Sequence, residues 1–228
     1  MYIGRLAMLR DDEATLLDEQ ERSRAGRYRF AADRARFVLG AVLLRAAAAH
    51  VLGVPAASIA LDRSCDECGG PHGRPRVIDA DTQVSVSHSG DIVAVALTAE
   101  GPVGVDVEAV VHRNGSDYRE ICSSVCTPDE QLFVTGREAF LTFWTRKEAV
   151  LKATGHGLRL PMTDVVVTPP EQQPALVSFP AAAVPQCRMA DIDAGEWYRA
   201  AVAVLTNASV DFAVLDAAPL LRALRTSD

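Results

Sequence analysis

The segment F-W-T-R-K-E-A-V-L-K, residues 143–152, has apolar residues at helical spacing and predicts the helix around which the second half of the chain folds. We place this helix from about residue 138 to residue 154, where Gly155 ends it. Glu148 and Lys152 are four residues apart, so they lie on one helix face about a turn from each other. Taken alone, this spacing is typical of an exposed ion pair, and the segments before it decide whether it means more.

Strand-like segments upstream carry further polar residues. The segment 103–108 alternates with a period of two, which puts its valines on one side and the carboxylates of Asp106 and Glu108 together on the other. Before it, the segment 83–88 alternates in the same way, and the aliphatic segment 92–98 indicates a strand buried on both faces. A hairpin turn joins these two strands, so His88 lies at a strand end beside a turn.

The predicted elements follow the order helix, then strands, and this order occurs twice. A helix at 33–52 precedes strands up to residue 98, and the helix at 138–154 precedes strands up to residue 215. This pattern predicts an α+β fold of two similar halves, with the boundary in the Gly-Pro break at 99–102. Residues 111–127 are polar and irregular, which indicates a loop before the second helix.

The composition is that of an ordinary globular protein, with 49% hydrophobic and 23% charged residues. A net charge of −7 argues against a nucleic-acid-binding protein. We see no apolar run of the roughly 18 residues that a membrane span needs, and the charged N-terminus does not resemble a signal peptide. We therefore expect a cytoplasmic protein that binds neither nucleic acid nor membrane.

Basic residues are concentrated in one part of the chain. Residues 22–45 contain a single acid, Asp33, and seven arginines: Arg22, Arg24, Arg27, Arg29, Arg34, Arg36 and Arg45. A local basic surface on an acidic protein predicts a small anionic ligand such as a phosphate, although a solvated helix face has the same composition.

The chain has five cysteines, and this odd number without an export signal argues against a disulfide framework. Cys65-x-x-Cys68 followed by His72 has half the ligand pattern of a zinc site. No second ligand pair follows at zinc spacing. Structural zinc and reduced loop thiols therefore both remain open from the spacing.

The acidic strand and the helix together predict a metal site for phosphate chemistry. Adjacent carboxylates on Asp106 and Glu108 repel each other unless a cation compensates, and oxygen ligands select a hard ion such as Mg²⁺, although two solvent-facing acids on an edge strand have the same spacing. Glu148 can supply a third carboxylate, Lys152 can stabilise charge on a departing phosphate, and His88 can donate to a phosphate oxygen. No G-x-S-x-G segment supports a serine nucleophile. The spacing thus predicts Mg²⁺-dependent chemistry on a phosphoanhydride.

Three motifs in this order resemble the signature blocks of 4′-phosphopantetheinyl transferases of the surfactin-synthetase (Sfp) type. They are V-S-V-S-H-S-G at 84–90, G-V-D-V-E at 104–108 and F-W-T-R-K-E-A-V-L-K-A-T-G-H-G-L at 143–158, and the upstream helix 36–45 fits as well. The resemblance covers about residues 20–161. It implies two similar α+β halves forming an intramolecular pseudo-dimer, with coenzyme A phosphate and adenine contacts in residues 1–101 and the metal and catalytic acids in residues 102–228.

The resemblance also implies an activity. Family members transfer the 4′-phosphopantetheine group from coenzyme A, the co-substrate, to a serine of an apo acyl or peptidyl carrier protein. They release 3′,5′-ADP, use Mg²⁺ and are usually monomers. The resemblance does not tell whether the carrier serves polyketide, nonribosomal peptide or fatty acid biosynthesis.

Site roles follow from the resemblance residue by residue. Asp106, Glu108 and Glu148 match the metal ligands, and Glu148 also matches the base that deprotonates the serine. The other matched residues are Lys152, which contacts the pyrophosphate and assists the leaving group, Ser87 and the catalytic His88 for coenzyme A phosphates, Arg74 near the adenine, Arg36 for the 3′-phosphate and Arg24 as a second basic contact.

Some features depart from the family pattern or are left open by it. The insert containing Cys65 and Cys68 is not part of the pattern, and His156 stands where relatives often have a lysine, so a phosphate contact there is open. The region 111–127 helps to dock the carrier protein in this class. Two alternative activities use the same residues: a Mg²⁺-dependent hydrolase of coenzyme A or nucleotide anhydrides, and a non-catalytic coenzyme A-binding module.

Overall fold

A computed structural model describes residues 1–65, 67–111, 117–180 and 186–224, apart from the side chains of Asp11, Asp12 and Leu158. The chain divides into two compact units. The first is Met1–Ala99 together with the C-terminal segment that begins at Ala213, and the second is Glu100–Phe212.

The first unit has one strand, two helices and four further strands before residue 100, and the C-terminal segment completes it. Up to residue 100 they are β1 (Tyr2–Arg5), α1 (Glu19–Gly26), α2 (Ala31–Leu52), β2 (Leu61–Asp62), β3 (Arg76–Val77), β4 (Gln83–Ser89) and β5 (Ile92–Thr98). The second unit contains β6 (Val103–Ala109), α3 (Tyr118–Val125), α4 (Pro128–Gln131), α5 (Arg137–Thr154), β7 (Val166–Val167), β8 (Leu176–Ser178), β9 (Cys187–Asp191) and β10 (Tyr198–Leu205). The C-terminal segment adds β11 (Leu215–Asp216) and α6 (Ala218–Leu224) to the first unit.

The first unit is a four-stranded sheet covered by α2. The strand order is β11-β1-β5-β4, antiparallel except for the parallel pair of β11 with β1. The helix packs on β4 and β5 and buries a nearly continuous apolar surface that includes Leu39, Val42 and Leu43. It ends at Gly53, whose φ of 68° favours glycine.

Helix α2 is also long and apolar enough to cross a membrane by length and composition, so the expectation that no such run exists is wrong for this segment. However, 72% of its apolar window is buried inside the protein. The same composition is required of a helix that forms the centre of a hydrophobic core.

The second unit repeats this arrangement with a smaller sheet. Strands β6, β10 and β9 are antiparallel in the order β6-β10-β9, and α5 packs on β6 and β10. Phe143, Val150 and Leu151 of α5 meet Ala201 and Ala203 of β10 in the core. The predicted α+β fold of two similar halves, each with one long helix on a sheet, is confirmed.

Two sequence predictions need correction. The C-terminal segment does not belong to a second half at 102–228, because β11 hydrogen-bonds to β1: Leu215 N donates to Met1 O, and Ala217 N donates to Ile3 O, each at 2.9 Å. The predicted loop 111–127 contains α3, whose first turn is capped when Asp117 accepts from Arg119 N. Residues 112–116 lie outside the described residues.

Candidate active site

Strand β6 and helix α5 approach each other closely at Gly104. A Cβ atom there would lie 1.9 Å from Ala149 O and 2.6 Å from Ala153 N. Cβ atoms do not approach non-bonded heavy atoms this closely. Only glycine therefore permits this packing. Because Glu148 and Lys152 precede these two alanines on α5, the glycine of G-V-D-V-E brings both against the acidic strand.

Lys152 and Asp106 form an ion pair between α5 and β6. The Lys152 ammonium donates to Asp106 Oδ1 at 2.7 Å and to Val105 O at 3.0 Å. The Asp106 side chain is only 5% exposed, whereas that of Lys152 is 28% exposed. The lysine is thus a cation that compensates a buried acid, and its ion pair is with the strand rather than with Glu148 on its own helix.

Glu148 lies within electrostatic range of both partners of this ion pair. Burial raises the pKa of its carboxyl above the ordinary value of 4.5, the ammonium of Lys152 lowers it, and the carboxylate of Asp106 raises it further. The net result is a raised pKa. A carboxyl that holds its proton more readily than usual is suited to accept one from a substrate.

The three predicted metal ligands all belong to this pair of elements. Glu108 is partly exposed on the same strand as Asp106, and it lies opposite Arg199 of β10 in the strand register. The donor set of Asp106, Glu108 and Glu148 consists of carboxylate oxygens, and two of the three are buried. This chemistry fits a hard cation such as Mg²⁺.

Arg146 is a structural residue to which the sequence analysis assigned no role. Its guanidinium is fully buried and donates to both carboxylate oxygens of Asp191, at 2.9 and 2.6 Å. It also donates to the carbonyl oxygens of Thr168, Pro169 and Gln172. Arg146 therefore fastens α5 to β9 and to the loop between β7 and β8.

Lys147 fastens the opposite flank of the same helix turn. Its ammonium is fully buried and donates to Glu130 Oε2 at 2.5 Å, to Val125 O at 2.7 Å and to Met162 O at 3.1 Å. Removing one member of such a buried pair costs about 3–5 kcal/mol. Arg146 and Lys147 thus fix the rotation of α5 and with it the direction in which Glu148 faces.

The scarcity of lysine is a signal that could have identified these roles. The chain has 23 basic residues, yet its two lysines are Lys147 and Lys152, both on α5, and every other basic residue is arginine. Lysine is a compact, flexible point charge and arginine a wide planar fork. A sequence that keeps lysine at two positions on one helix has packing or chemistry there that arginine does not fit.

Apart from Lys152, the predicted coenzyme A contacts lie in the first unit, three of them near one end of β4 and β5. The Arg36 guanidinium donates to Gly90 O at 2.7 Å and pairs with Asp33, so it sits at the turn that follows His88 and Ser89. His88 is exposed and Ser87 is buried.

The other two predicted contacts, Arg24 and Arg74, also belong to the first unit. The Arg24 guanidinium stacks on the Phe37 ring at 5.0 Å, next to Arg36 on α2. Arg74 is half-buried on the segment before β3, where burial and the nearby Arg76 lower its pKa.

The basic surface predicted for residues 22–45 is smaller than the sequence suggests. Arg45 is buried and forms ion pairs with Glu21 at 2.6 Å and Asp18 at 3.1 Å. Arg22 turns back to donate to Leu17 O. Arg45 joins α1 to α2 and does not form part of an anion-binding surface.

Comparison with known proteins adds to this geometry. Residues 102–203 match the sequence model described as the 4′-phosphopantetheinyl transferase superfamily, and residues 11–100 match the model described as the 4′-phosphopantetheinyl transferase, N-terminal. The two matches follow each other along nearly the whole chain. The chain belongs to the 4′-phosphopantetheinyl transferase superfamily. The match to the superfamily model contains β6 and α5, with all four residues Asp106, Glu108, Glu148 and Lys152.

Individual transferases of this superfamily are similar to the chain at moderate identity. A putative 4′-phosphopantetheinyl transferase of Synechocystis is 29% identical over 66% of this chain and 62% of its own length, and HetI of Nostoc is 29% identical over 70% and 69%. A 4′-phosphopantetheinyl transferase of Bacillus subtilis is 27% identical over 80% of each chain. The chain thus spans just under two thirds of the length of the Synechocystis relative.

Proposed function

We propose that this protein transfers 4′-phosphopantetheine from coenzyme A to a serine hydroxyl of an apo acyl or peptidyl carrier protein and releases 3′,5′-ADP. The observation that carries the proposal is the packing of α5 on β6. It places a carboxyl with a raised pKa and a lysine beside a buried aspartate, in a chain whose two halves both match the superfamily. The motif order further supports membership of the surfactin-synthetase (Sfp) type.

The metal site of the proposal is Mg²⁺ held by Asp106, Glu108 and Glu148. When bound, the ion supplies positive charge to pyrophosphate oxygens and lowers the energy of a charged phosphoryl-transfer transition state. In the structure as described, Lys152 supplies part of this positive charge to Asp106. An ion held by these three carboxylates would also offset the repulsion between Asp106 and Glu148.

Proton transfer is assigned to Glu148. Its carboxylate accepts the proton of the carrier serine hydroxyl, directly or through a water, as the serine oxygen forms a bond to the β-phosphorus of coenzyme A. The anhydride bond from this phosphorus to the departing 3′,5′-ADP breaks, and the electron pair stays with the leaving phosphate. The raised pKa of Glu148 makes its carboxylate a stronger base than an exposed glutamate.

Stabilisation of the negative charge on the leaving phosphate is assigned to Lys152. A lysine ammonium has three N–H donors, and the structure describes partners for two of them, Asp106 and Val105. The remaining donor can meet a phosphate oxygen while the ion pair with Asp106 holds the ammonium in place. Lys152 thereby binds the pyrophosphate and stabilises its departure.

The other contacts to coenzyme A are assigned to residues of the first unit. Arg36 and His88, which lie at the same end of the β4–β5 hairpin, contact the 3′-phosphate and the pyrophosphate, with Ser87 beside them. Arg24 is a second basic contact, and Arg74 lies near the adenine. Arg36 already pairs with Asp33, so this acid must be outcompeted by the doubly charged 3′-phosphate.

The carrier protein is proposed to dock on α3 and α4 of the second unit. Large apolar side chains are exposed on α3, at Ile121, and directly after α4, at Leu132 and Phe133. Apolar anchors of this kind are typical of a transient protein interface. We further propose that the protein is a cytoplasmic monomer. Its five free cysteines support the assignment to a reducing compartment.

One assay separates the proposed activity from its alternatives. The full chain is incubated with coenzyme A, Mg²⁺ and an apo carrier protein, and the intact mass of the carrier is measured. A gain of one phosphopantetheine arm, abolished by a chelator, is the expected result. Cleaved coenzyme A with an unmodified carrier indicates a hydrolase, and intact coenzyme A that nevertheless binds the protein indicates a binding module.

A further inference from the structure

The segment between β2 and β3 gathers three side chains of the types that bind zinc. Ligand atoms of Cys65, Cys68 and His72 all lie within 4.8 Å of one another. Cys68 Sγ is 3.0 Å from His72 Nε2, which is within hydrogen-bonding distance. Cys68 and His72 are exposed and Cys65 is partly exposed, so an ion from solvent can reach all three.

The separation of these atoms is close to that of a tetrahedral zinc site. Bond lengths of about 2.3 Å for sulfur and about 2.05 Å for nitrogen give a sulfur-to-nitrogen edge of about 3.6 Å. The pair Cys68 and His72 is therefore a little tighter than the bound geometry, by about 0.6 Å. Opening by this amount needs only small side-chain rotations at an exposed turn.

The backbone around the three side chains is organised as a tight turn. Cys65 N donates to Gly70 O at 2.8 Å, Gly69 N donates to Cys65 O at 2.9 Å, and Gly70 N points at Cys68 Sγ at 3.4 Å. These backbone contacts hold the Cys68 sulfur at a fixed position beside Cys65 and His72.

The glycines of this turn leave room for the ligand side chains. Gly69 has a φ of 67°, which a residue with a side chain rarely adopts. A Cβ at Gly70 would press on His72 Cδ2 at 3.2 Å and on Cys68 Sγ at 3.3 Å. A Cβ at Gly73 would lie 2.3 Å from Ser64 O. The C-x-x-C-G-G-P-H-G segment is therefore built around the space between its cysteines and its histidine.

We propose that Cys65, Cys68 and His72 bind Zn²⁺ or a closely similar thiophilic divalent cation, with a water molecule at the fourth position. Binding releases the thiol protons of the two cysteines to solvent, and neutral His72 donates a ring-nitrogen lone pair, so no electron transfer is involved. The cation joins the start and the end of a segment rich in glycine and proline. It thereby stabilises the connection between β2 and β3, which form a two-stranded sheet.

Two of the other cysteines, Cys126 and Cys187, are poor metal ligands, and one of them provides a control. Burial raises the pKa of the Cys126 and Cys187 thiols to about 12, so both stay protonated at neutral pH. Cys187 lies on β9 in the second unit. Replacing Cys187 by serine removes a thiol and leaves the Cys65, Cys68 and His72 side chains in place.

The test measures metal content of the full chain purified under reducing conditions and reconstituted with zinc. Elemental analysis is expected to find about one zinc per chain for the wild type and for Cys187→Ser, and none above background for Cys68→Ser and His72→Gln. Cobalt is expected to give the intense thiolate charge-transfer absorption in the first two proteins and not in the last two. Circular dichroism confirms that each variant is folded.

A measurement on the wild type keeps the test decisive if a variant fails to fold. A mercurial reagent that caps thiols is expected to release the zinc in step with modification of two cysteines. Three results overturn the proposal: a reduced wild type that binds no zinc, equal zinc in wild type and both site variants, or a Cys65–Cys68 disulfide in place of metal, seen as a mass lower by two hydrogens.

Discussion

The surroundings of Glu148, the proposed base, lower the stability of the folded protein once its carboxyl is ionised. Its carboxyl is buried near the carboxylate of Asp106, and Lys152 offsets only part of the resulting cost, so its pKa lies above 4.5. Between the pKa of the unfolded chain and that of the folded protein, the folded state binds more protons. Stability therefore falls as pH rises through this window, and the full penalty is present above the folded pKa.

We expect Glu148→Gln to stabilise the protein at pH 8 in the absence of divalent ions, because the amide carries no charge to desolvate. The gain should shrink as pH falls and disappear below about pH 4, where the unfolded carboxyl is also protonated. Urea unfolding at a series of pH values measures it. The exposed Glu171, replaced by glutamine, is the matched control and should show no such dependence. A Glu148→Gln variant that is less stable than wild type at pH 8 contradicts the account.

Arg36 is expected to recognise the 3′-phosphate of coenzyme A. Loss of a charged hydrogen bond of about 1.5–3 kcal/mol should weaken coenzyme A binding by about 10- to 100-fold in Arg36→Ala. The 3′-dephospho analogue should bind wild type and variant alike. Calorimetric titration measures both ligands, and Arg34→Ala, an exposed arginine on the same helix, is the control. Equal losses for the two ligands remove Arg36 from the 3′-phosphate site.

The sequence predicted which charged residues share one face of α5 or of β6, but it did not predict all of their ion-pair partners. Glu148 and Lys152 were predictable because helix and strand periods place them. The pairing of Lys152 with Asp106 and the burial of Arg146 and Lys147 depend on tertiary packing. Nothing in local spacing distinguishes a lysine that holds the helix in place from one that meets a ligand.

The candidate site depends on the contact between helix α5 and strand β6. The strand has its polar face toward the helix and its valines on the other side, all three of them fully buried or nearly so. Gly104 then sets the distance between the helix backbone and the strand. Burial and charge at Asp106 and Glu148 are consequences of this short distance.

We expect Gly104→Ala to destabilise the second unit by about 1–3 kcal/mol or more, since the new methyl group overlaps backbone atoms of α5. Transfer activity should fall along with stability, because the helix that carries Glu148 must shift. Gly40→Ala on α2 is the control: its Cβ meets Val86 at an ordinary 3.4 Å, and removing a helical glycine should stabilise by about 0.5–1 kcal/mol. Thermal unfolding and the transfer rate are measured for both. Wild-type behaviour of Gly104→Ala contradicts the packing argument.

Among the elements, the long ones were predictable and the short ones were not. Helices α2 and α5 and strands β4 and β6 each have a clear period, strand β5 is a continuous aliphatic run, and each of these elements has a glycine or turn at an end. Helix α3 has only eight residues, a length at which a helix is marginal without tertiary contacts, so its formation depends on the Asp117 cap and on packing against α5.

At the scale of the molecule, the order of elements along the chain does not predict that the C-terminal segment belongs to the first unit. Strand β11 pairs in parallel with β1, more than 200 residues away, and the N-terminal ammonium donates to Ala213 O at 2.7 Å. Two-residue strands carry no periodic signal. The assignment of residues 213–224 to the first unit therefore depends on these long-range bonds and on the burial of Ala217 and Leu221.

We expect Leu221→Ala to cost the first unit about 2–5 kcal/mol, because the leucine is 1% exposed in its core. Hydrogen exchange of the β1 and β5 amides should accelerate accordingly. Val214→Ala, an exposed position on the same segment, should change stability by less than about 0.5 kcal/mol. Unchanged exchange in Leu221→Ala contradicts the role of this segment.

We propose that phosphopantetheine transfer takes place at the α5–β6 site and that Glu148 is its base. The most direct test of this proposal is the amount of 3′,5′-ADP released per modified carrier serine, measured for wild type, Glu148→Gln and the control Glu171→Gln. We expect equal amounts of the two products for wild type and control, and a loss of both by at least about 100-fold for Glu148→Gln, in the range typical of general bases. Full transfer by Glu148→Gln, or 3′,5′-ADP released without carrier modification, contradicts the account.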